Sequence, residues 1–173
     1  ALLESTSDGI YGVDLRGRCT FVNGAALRML GYAREECMGQ NMHDLIHHTR
    51  PDGSPYPQEE CFIFQAFREG RSVRAENEVL WRKDGTAFPA FYSSSPIRQD
   101  GVLQGAVITF ADITDQKEAE QLLRRAKEEA ENANRAKSEE VREIDLDVEK
   151  GGGADGALRP AGVSRFGAGA RPE

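Results

Sequence analysis

The chain has 173 residues, 39% of them hydrophobic, with a formal net charge of -7. That length supports one domain with a sizeable core plus extensions, and the modest apolar share leaves part of the chain outside any core. The acidic balance argues against a nucleic-acid or anionic-membrane binder, no apolar run is long enough for membrane insertion, and the start lacks a signal-peptide layout. Cys19, Cys37 and Cys61 share no spacing pattern and form no disulfide framework, which fits small buried side chains in a reducing cytoplasm. An amphipathic segment begins at Ala1, the look of a piece cut from a longer protein.

In chain order, Ile10–Leu15 and Cys19–Asn23 read as a hairpin around Arg16-Gly17-Arg18. Short helical stretches follow at Ala25–Leu30, stopped by Gly31, at Arg34–Cys37, and at Asn41–His48 with Asn41 as the cap. Residues 50–57 form a turn-rich loop. Pro57 then opens a helix to Arg68 whose apolar positions Cys61, Ile63, Phe64 and Phe67 fall mostly on one face. Three strands come next: Val73–Arg82, then Ala87–Ser93 after a Lys83–Thr86 turn, then Leu103–Ile113. Pro89 suggests an edge strand or a bulge. Strands at both ends with helices between them indicate an α+β domain, an antiparallel sheet with helices on one face.

The pattern changes at Asp112-Ile113-Thr114. Beyond it the chain is helical, polar and rich in alanine, with Asp115 and Glu118 spaced as a reciprocal N-cap and Thr114 as an alternative. Apolar residues recur at Ala119, Leu123, Ala126, Ala130 and Ala133, in steps of four and three, with Leu122 broadening the stripe. This is the shallow seam of a two-stranded coiled coil. The expected division is 1–114 for the domain, 115–140 for the helix, and 141–173 for a disordered or non-native tail.

Several motifs in this order resemble a PAS domain of bacterial sensor histidine kinases. They are Ser7-Asp8-Gly9-Ile10, Phe21-Val22-Asn23 with Ala26, Leu30-Gly31-Tyr32, Gly39-Gln40-Asn41, Trp81 to Thr86, and Asp112-Ile113-Thr114. The resemblance covers residues 1–115. It implies a five-stranded sheet in the order 2-1-5-4-3, a helix-flanked pocket for a small ligand, and a closing tripeptide that couples the sheet to an output helix. A cytoplasmic, bacterial homodimer, paired through helix and domain, is the expectation. Residues 132–139 resemble the lead-in to a kinase phosphoacceptor helix, but no histidine follows His48, so the chain is not expected to be an enzyme by itself.

Four groups of residues carry the functional expectations. The signal hinge is Asp112, Ile113 and Thr114 with Trp81 beside it, Asp112 pairing with a basic residue near the Trp81-Arg82-Lys83 turn. Phe21, Met42, Phe64, Phe67, Val79, Phe91 and Phe110 either line an apolar cavity or fill the core, a matter of side-chain volume. In light-sensing relatives a cysteine follows Gly-x-Asn; here Met42 stands there, which argues against flavin–cysteinyl chemistry. In oxygen-sensing relatives a histidine on the helix before the third strand holds haem iron; here that helix, residues 57–68, has none, leaving His47, His48 and Cys61 as outlying ligand candidates. His43 and His47 share a helical face at i and i+4 and could join Cys61 around a metal, without any paired Cys/His spacing to support them. The histidines otherwise read as loop residues bonding carbonyls or water. The leading reading is a sensory and dimerisation module; the alternatives are a haem- or metal-bearing gas or redox sensor, and a structural dimeriser with a filled core.

Overall fold

A computed structural model describes residues 2–151. A five-stranded antiparallel sheet has the order β2-β1-β5-β4-β3. Its strands are β1 (Gly9–Asp14), β2 (Cys19–Val22), β3 (Val73–Trp81), β4 (Ala87–Gln99) and β5 (Val102–Asp112). Between β2 and β3 run α1 (Gly24–Leu30), α2 (Arg34–Cys37), α3 (Met42–Ile46), a 3-10 turn at Gln58–Glu60 and α4 (Phe62–Arg68). The last element is α5 (Thr114–Gly151). The compact unit is Ala1–Arg124, and α5 beyond it forms a second unit.

The local reasons follow the side chains. Asn23 caps α1 and saturates its amide: Oδ1 accepts from Ile10 N and Ala26 N at 2.9 Å, and Nδ2 donates to Leu3 O and Asp8 O. One buried residue thus ties the first strand, the first helix and the N-terminal turn, and every polar atom is satisfied. Asn41 caps α3 by accepting from His43 N. The inner face of the sheet carries Tyr11, Val22, Leu80, Phe88, Tyr92, Ile108 and Phe110, packed against Leu30, Ile46 and Phe67 from the helices.

Two bulges decide which side chains face inward. In β2 an extra residue enters opposite Gly12 and Val13, so Tyr11 pairs with Val22, Gly12 with Phe21 and Val13 with Cys19. In β3 three steps from Ala75 to Glu78 oppose two from Tyr92 to Ala90. The inward set is therefore Val73 and Ala75 above the bulge, and Glu78 and Leu80 below it.

Several expectations are corrected. Pro89 lies in an interior strand; the bulge is on the facing strand β3, and the Pro89 carbonyl accepts from Ile113 N. β4 continues to Gln99, beyond the expected end at Ser93. The helix expected from Pro57 breaks at Cys61, whose backbone is extended (φ -68°, ψ 121°). The helix α5 continues to Gly151 rather than ending at 140, because good helix formers persist without Gly or Pro until Gly151; residues 152–173 of the expected tail lie outside the described residues. Asp112, not Asp115, caps α5: its Oδ1 accepts from Thr114 N at 3.0 Å and from the Thr114 hydroxyl.

Candidate functional site

Between α3, α4 and the inner sheet face lies a cavity of about 30 Å³. That holds one or two waters or a single ion. Met42, Phe64 and Phe67 line it as expected from the sequence. The other expected lining residues do not. Phe21 covers Gly12 on the outer face, where a Cβ on Gly12 would fall 2.2 Å from its ring. Val79 and Phe91 are half-buried and alternate with Leu80 and Tyr92, which take the inward places. Phe110 is buried in the core over Gly9 but does not reach the cavity. The other lining residues are Tyr11, Val13, Gly17, Asn41, Ile63 and Ile108, together with three chemically active side chains.

Those three are His43, His47 and Cys61, whose ligating atoms lie within 4.8 Å of one another. The short helix α3 places His43 and its successor one turn later on the same side, while the break at Cys61 turns the thiol toward them. Each imidazole is held from behind. His43 Nε2 donates to the Tyr56 carbonyl at 2.7 Å, which leaves Nδ1, buried and without a hydrogen-bond partner among the described residues, facing the cluster. His47 Nε2 meets Glu78 Oε2 at 3.2 Å, and its Nδ1 lies 3.3 Å from Cys61 Sγ. The β3 bulge is what delivers Glu78 to this place.

Electrostatics make His47 and Cys61 an ion pair. Burial alone would push the thiol up, but His43 and His47 beside it outweigh that and bring it down to about 6. Burial would likewise lower His47, yet Cys61 and Glu78 raise it to about 9. Each of these two residues is 2% exposed. Such a thiolate is rare away from chemistry or metal binding. The neighbouring Tyr92 hydroxyl is also buried without a partner among the described residues, its ring 5.9 Å from His47.

His48 is not part of the cluster. It is exposed and stacks on Trp81 with centroids 5.6 Å apart, and Trp81 Nε1 donates to Thr49 O. Trp81 therefore fastens the segment after α3 rather than the hinge with which the sequence grouped it. The contact with Asp112 is made by Arg82, a basic residue of the turn after Trp81. Its Nη2 donates to Asp112 Oδ2 at 2.7 Å, its Nε donates to Met29 O, and its guanidinium lies 4.2 Å over Phe88.

Ala119, Leu122, Leu123, Ala126, Ala130 and Ala133 are all exposed along α5, with Leu122 at 66% and Leu123 at 73%. No helix among the described residues is long and apolar enough to cross a membrane.

The sensor histidine kinase DcuS of Escherichia coli K12 is 28% identical over 123 residues, covering 71% of this chain and 20% of that protein. The probable diguanylate cyclase DgcE of the same organism is 29% identical over 114 residues, 65% of this chain and 10% of its own length. The histidine kinase AtoS, also of that strain, is 26% identical over 125 residues, 72% and 19% respectively. The chain thus spans a quarter or less of these relatives. Among solved structures, an RNA-binding light-oxygen-voltage receptor superposes with a TM-score of 0.59 at 24% identity, over 77% of this chain and 37% of that one. A PAS domain from Colwellia psychrerythraea gives 0.52 at 22% identity, over 65% of this chain and 92% of that one. These two likenesses bear on the fold alone. The profile of the PAS domain family matches residues 7–115, from the strand that Asn23 anchors to the first turn of α5; the chain belongs to the PAS domain family.

Proposed function

We propose that the chain is the sensory and dimerisation module of a cytoplasmic bacterial signal-transduction protein, a histidine kinase in the first instance. An input at the pocket passes through the sheet to α5. The observation that carries the reading is the chain of contacts along edge strand β3. Glu78 holds His47 at the pocket, and Arg82, four residues on, holds Asp112 at the start of α5. A change at the pocket that shifts β3 alters the Arg82 contact and so the population of α5 arrangements. Two copies associate through the Ala119–Ala133 seam, whose apolar residues are exposed in a single chain. The relatives' shared setting in sensor kinases and regulators supports the signalling role, with phosphotransfer assigned to the parent protein.

The test is the self-association of the full chain by sedimentation, with and without Asp112→Ala, alongside cross-linking through a cysteine introduced at Ala126. A changed dimer constant or cross-linking pattern in a folded variant supports the coupling. Identical association and cross-linking sink the hinge role. A second reading, a metal-bearing sensor, is favoured by the His43–His47–Cys61 cluster.

A further inference from the structure

We propose that His43, His47 and Cys61 form a binding site for a single borderline-soft divalent ion of the Zn²⁺ class, with a fourth coordination position open to the cavity. The inference gives a ligand class to the pocket proposed above as the input; its signalling meaning rests on that reading, while the binding itself does not.

Four observations converge. The first is the donor set: two imidazole nitrogens and one cysteine sulfur suit Zn²⁺ and its neighbours, and three protein ligands leave a vacancy for water or an incoming ligand. Second, the geometry is close to what is needed. Cys61 Sγ and His47 Nδ1 stand 3.3 Å apart and all three ligating atoms fall within 4.8 Å. Adjacent ligands around tetrahedral Zn²⁺ stand about 3.5 Å apart, so side-chain rotations of about 1 Å complete the site.

Third, the ring atoms facing away from the cluster are already committed. A metal-bound histidine characteristically donates its other N–H to a carbonyl or carboxylate, which fixes the tautomer and sharpens the lone pair. Tyr56 O does this for His43 and Glu78 for His47, so both Nδ1 atoms are the ones left to face the thiol. Fourth, His43 Nδ1 is a buried nitrogen with no hydrogen-bond partner among the described residues, an arrangement that costs stability unless something fills it. His47 Nδ1 and Cys61 Sγ share one proton in their hydrogen bond; the ion displaces that proton to solvent and binds between the two atoms. Nothing need be oxidised or reduced.

All three ligands line the cavity, whose other walls are mainly apolar with Asn41 at one side, so the open position faces a small chamber. His48 is excluded from the site by its stacking on Trp81. The acidic residues along α5 are the obvious competitors for a divalent ion, and the experiment has to separate them from the cluster.

The full chain, stripped with chelator under reducing conditions, is titrated with Co²⁺ as a spectroscopic substitute for Zn²⁺. The expected result is one equivalent bound, intense tetrahedral ligand-field bands, a thiolate-to-metal charge-transfer band, and displacement of all three by Zn²⁺. Cys61→Ser removes the charge-transfer band. His43→Gln and His47→Gln abolish stoichiometric binding, Glu78→Gln weakens it about 10- to 100-fold with the band retained, and His48→Gln changes nothing. Equal binding by wild type and Cys61→Ser, or binding without a charge-transfer band, overturns the site and assigns the ion to surface carboxylates. Where Cys61→Ser does not fold, the rise in melting temperature of wild type with Zn²⁺ and its loss in His43→Gln decide the same question. Sedimentation with and without Zn²⁺ separates the two proposals: an intact Co²⁺ spectrum with unchanged association keeps the site and removes the ion as the input.

Discussion

Arg82 and Asp112 meet at 2.7 Å with about a quarter of each side chain still exposed, and both are engaged elsewhere at the same time. Arg82 also donates to Met29 O, and Asp112 also accepts from Thr114. The pair therefore joins the end of α1, the turn after β3 and the first turn of α5 in one polar knot. Because solvent screens it, the ion pair alone contributes less than a buried one, about 1 kcal/mol or below. The cap on α5 adds about as much again. Asp112→Ala should cost about 1–3 kcal/mol in chemical denaturation, Arg82→Met less, and the double variant less than their sum. Strict additivity would show that the two side chains do not work as a unit.

The His47–Cys61 pair sets a pH signature. Cys61 ionises near 6 when folded against 9.0 ordinarily, so its contribution to stability is complete above 9 and is lost as the pH falls through about 6. His47 is shifted the other way, from 6.5 to about 9, so its contribution is complete below 6.5 and is lost as the pH rises through about 9. The two slopes oppose each other between those limits. Ultraviolet thiolate absorbance should titrate with a midpoint near 6 and lose that step in Cys61→Ser, while the destabilisation caused by Cys61→Ala should stay nearly level across pH 7–8. A first thiolate midpoint above 8 would mean that the pair is neutral.

Two glycine substitutions should fail for different reasons. A Cβ at Gly105 would fall 1.9 Å from the Val13 carbonyl oxygen, which is backbone on the paired strand. Gly105→Ala should cost about 3 kcal/mol or more, since strand β1 must move to admit it. At Gly85 no atom lies within 4 Å, but φ is +83°. There Gly85→Ala should cost only about 1–2 kcal/mol, the strain of the left-handed conformation. Melting temperatures rank the two; the reverse order would contradict the β1–β5 register.

On α5, Leu123→Lys should weaken self-association in sedimentation at least tenfold while leaving the unfolding of the compact unit unchanged, since Leu123 is exposed in the single chain. Gln121→Lys, on the face of the helix opposite the seam, serves as the control. Equal effects of the two substitutions would remove the seam from the dimer.

Much of this was legible in the sequence because it is local. Alternation, turn dipeptides and caps gave the strands and short helices, and the Asp112 partner could be sought among the cations of one turn. The i, i+4 spacing of His43 and His47 was equally visible. Their meeting with Cys61 was not, since the thiol arrives across the whole 49–60 loop and turns inward only where the helix breaks. The lining residues went astray for a parity reason. Phe91 and Tyr92 are adjacent and both apolar enough for the interior, so alternation alone cannot choose between them. Val79 looks inward when counted from Val73, and the bulge makes it look outward.

The β3 bulge also governs where this strand tolerates a change of length. Its two halves follow opposite counts, inward at Val73 and Ala75, then at Glu78 and Leu80. Removing one residue between Ala75 and Glu78 would straighten the ladder and leave both halves facing as they do now. The same deletion elsewhere in the strand would turn one half over, sending Glu78 to solvent or an outward side chain into the core. Edge strand β3 can therefore shorten at a single address without turning either half over.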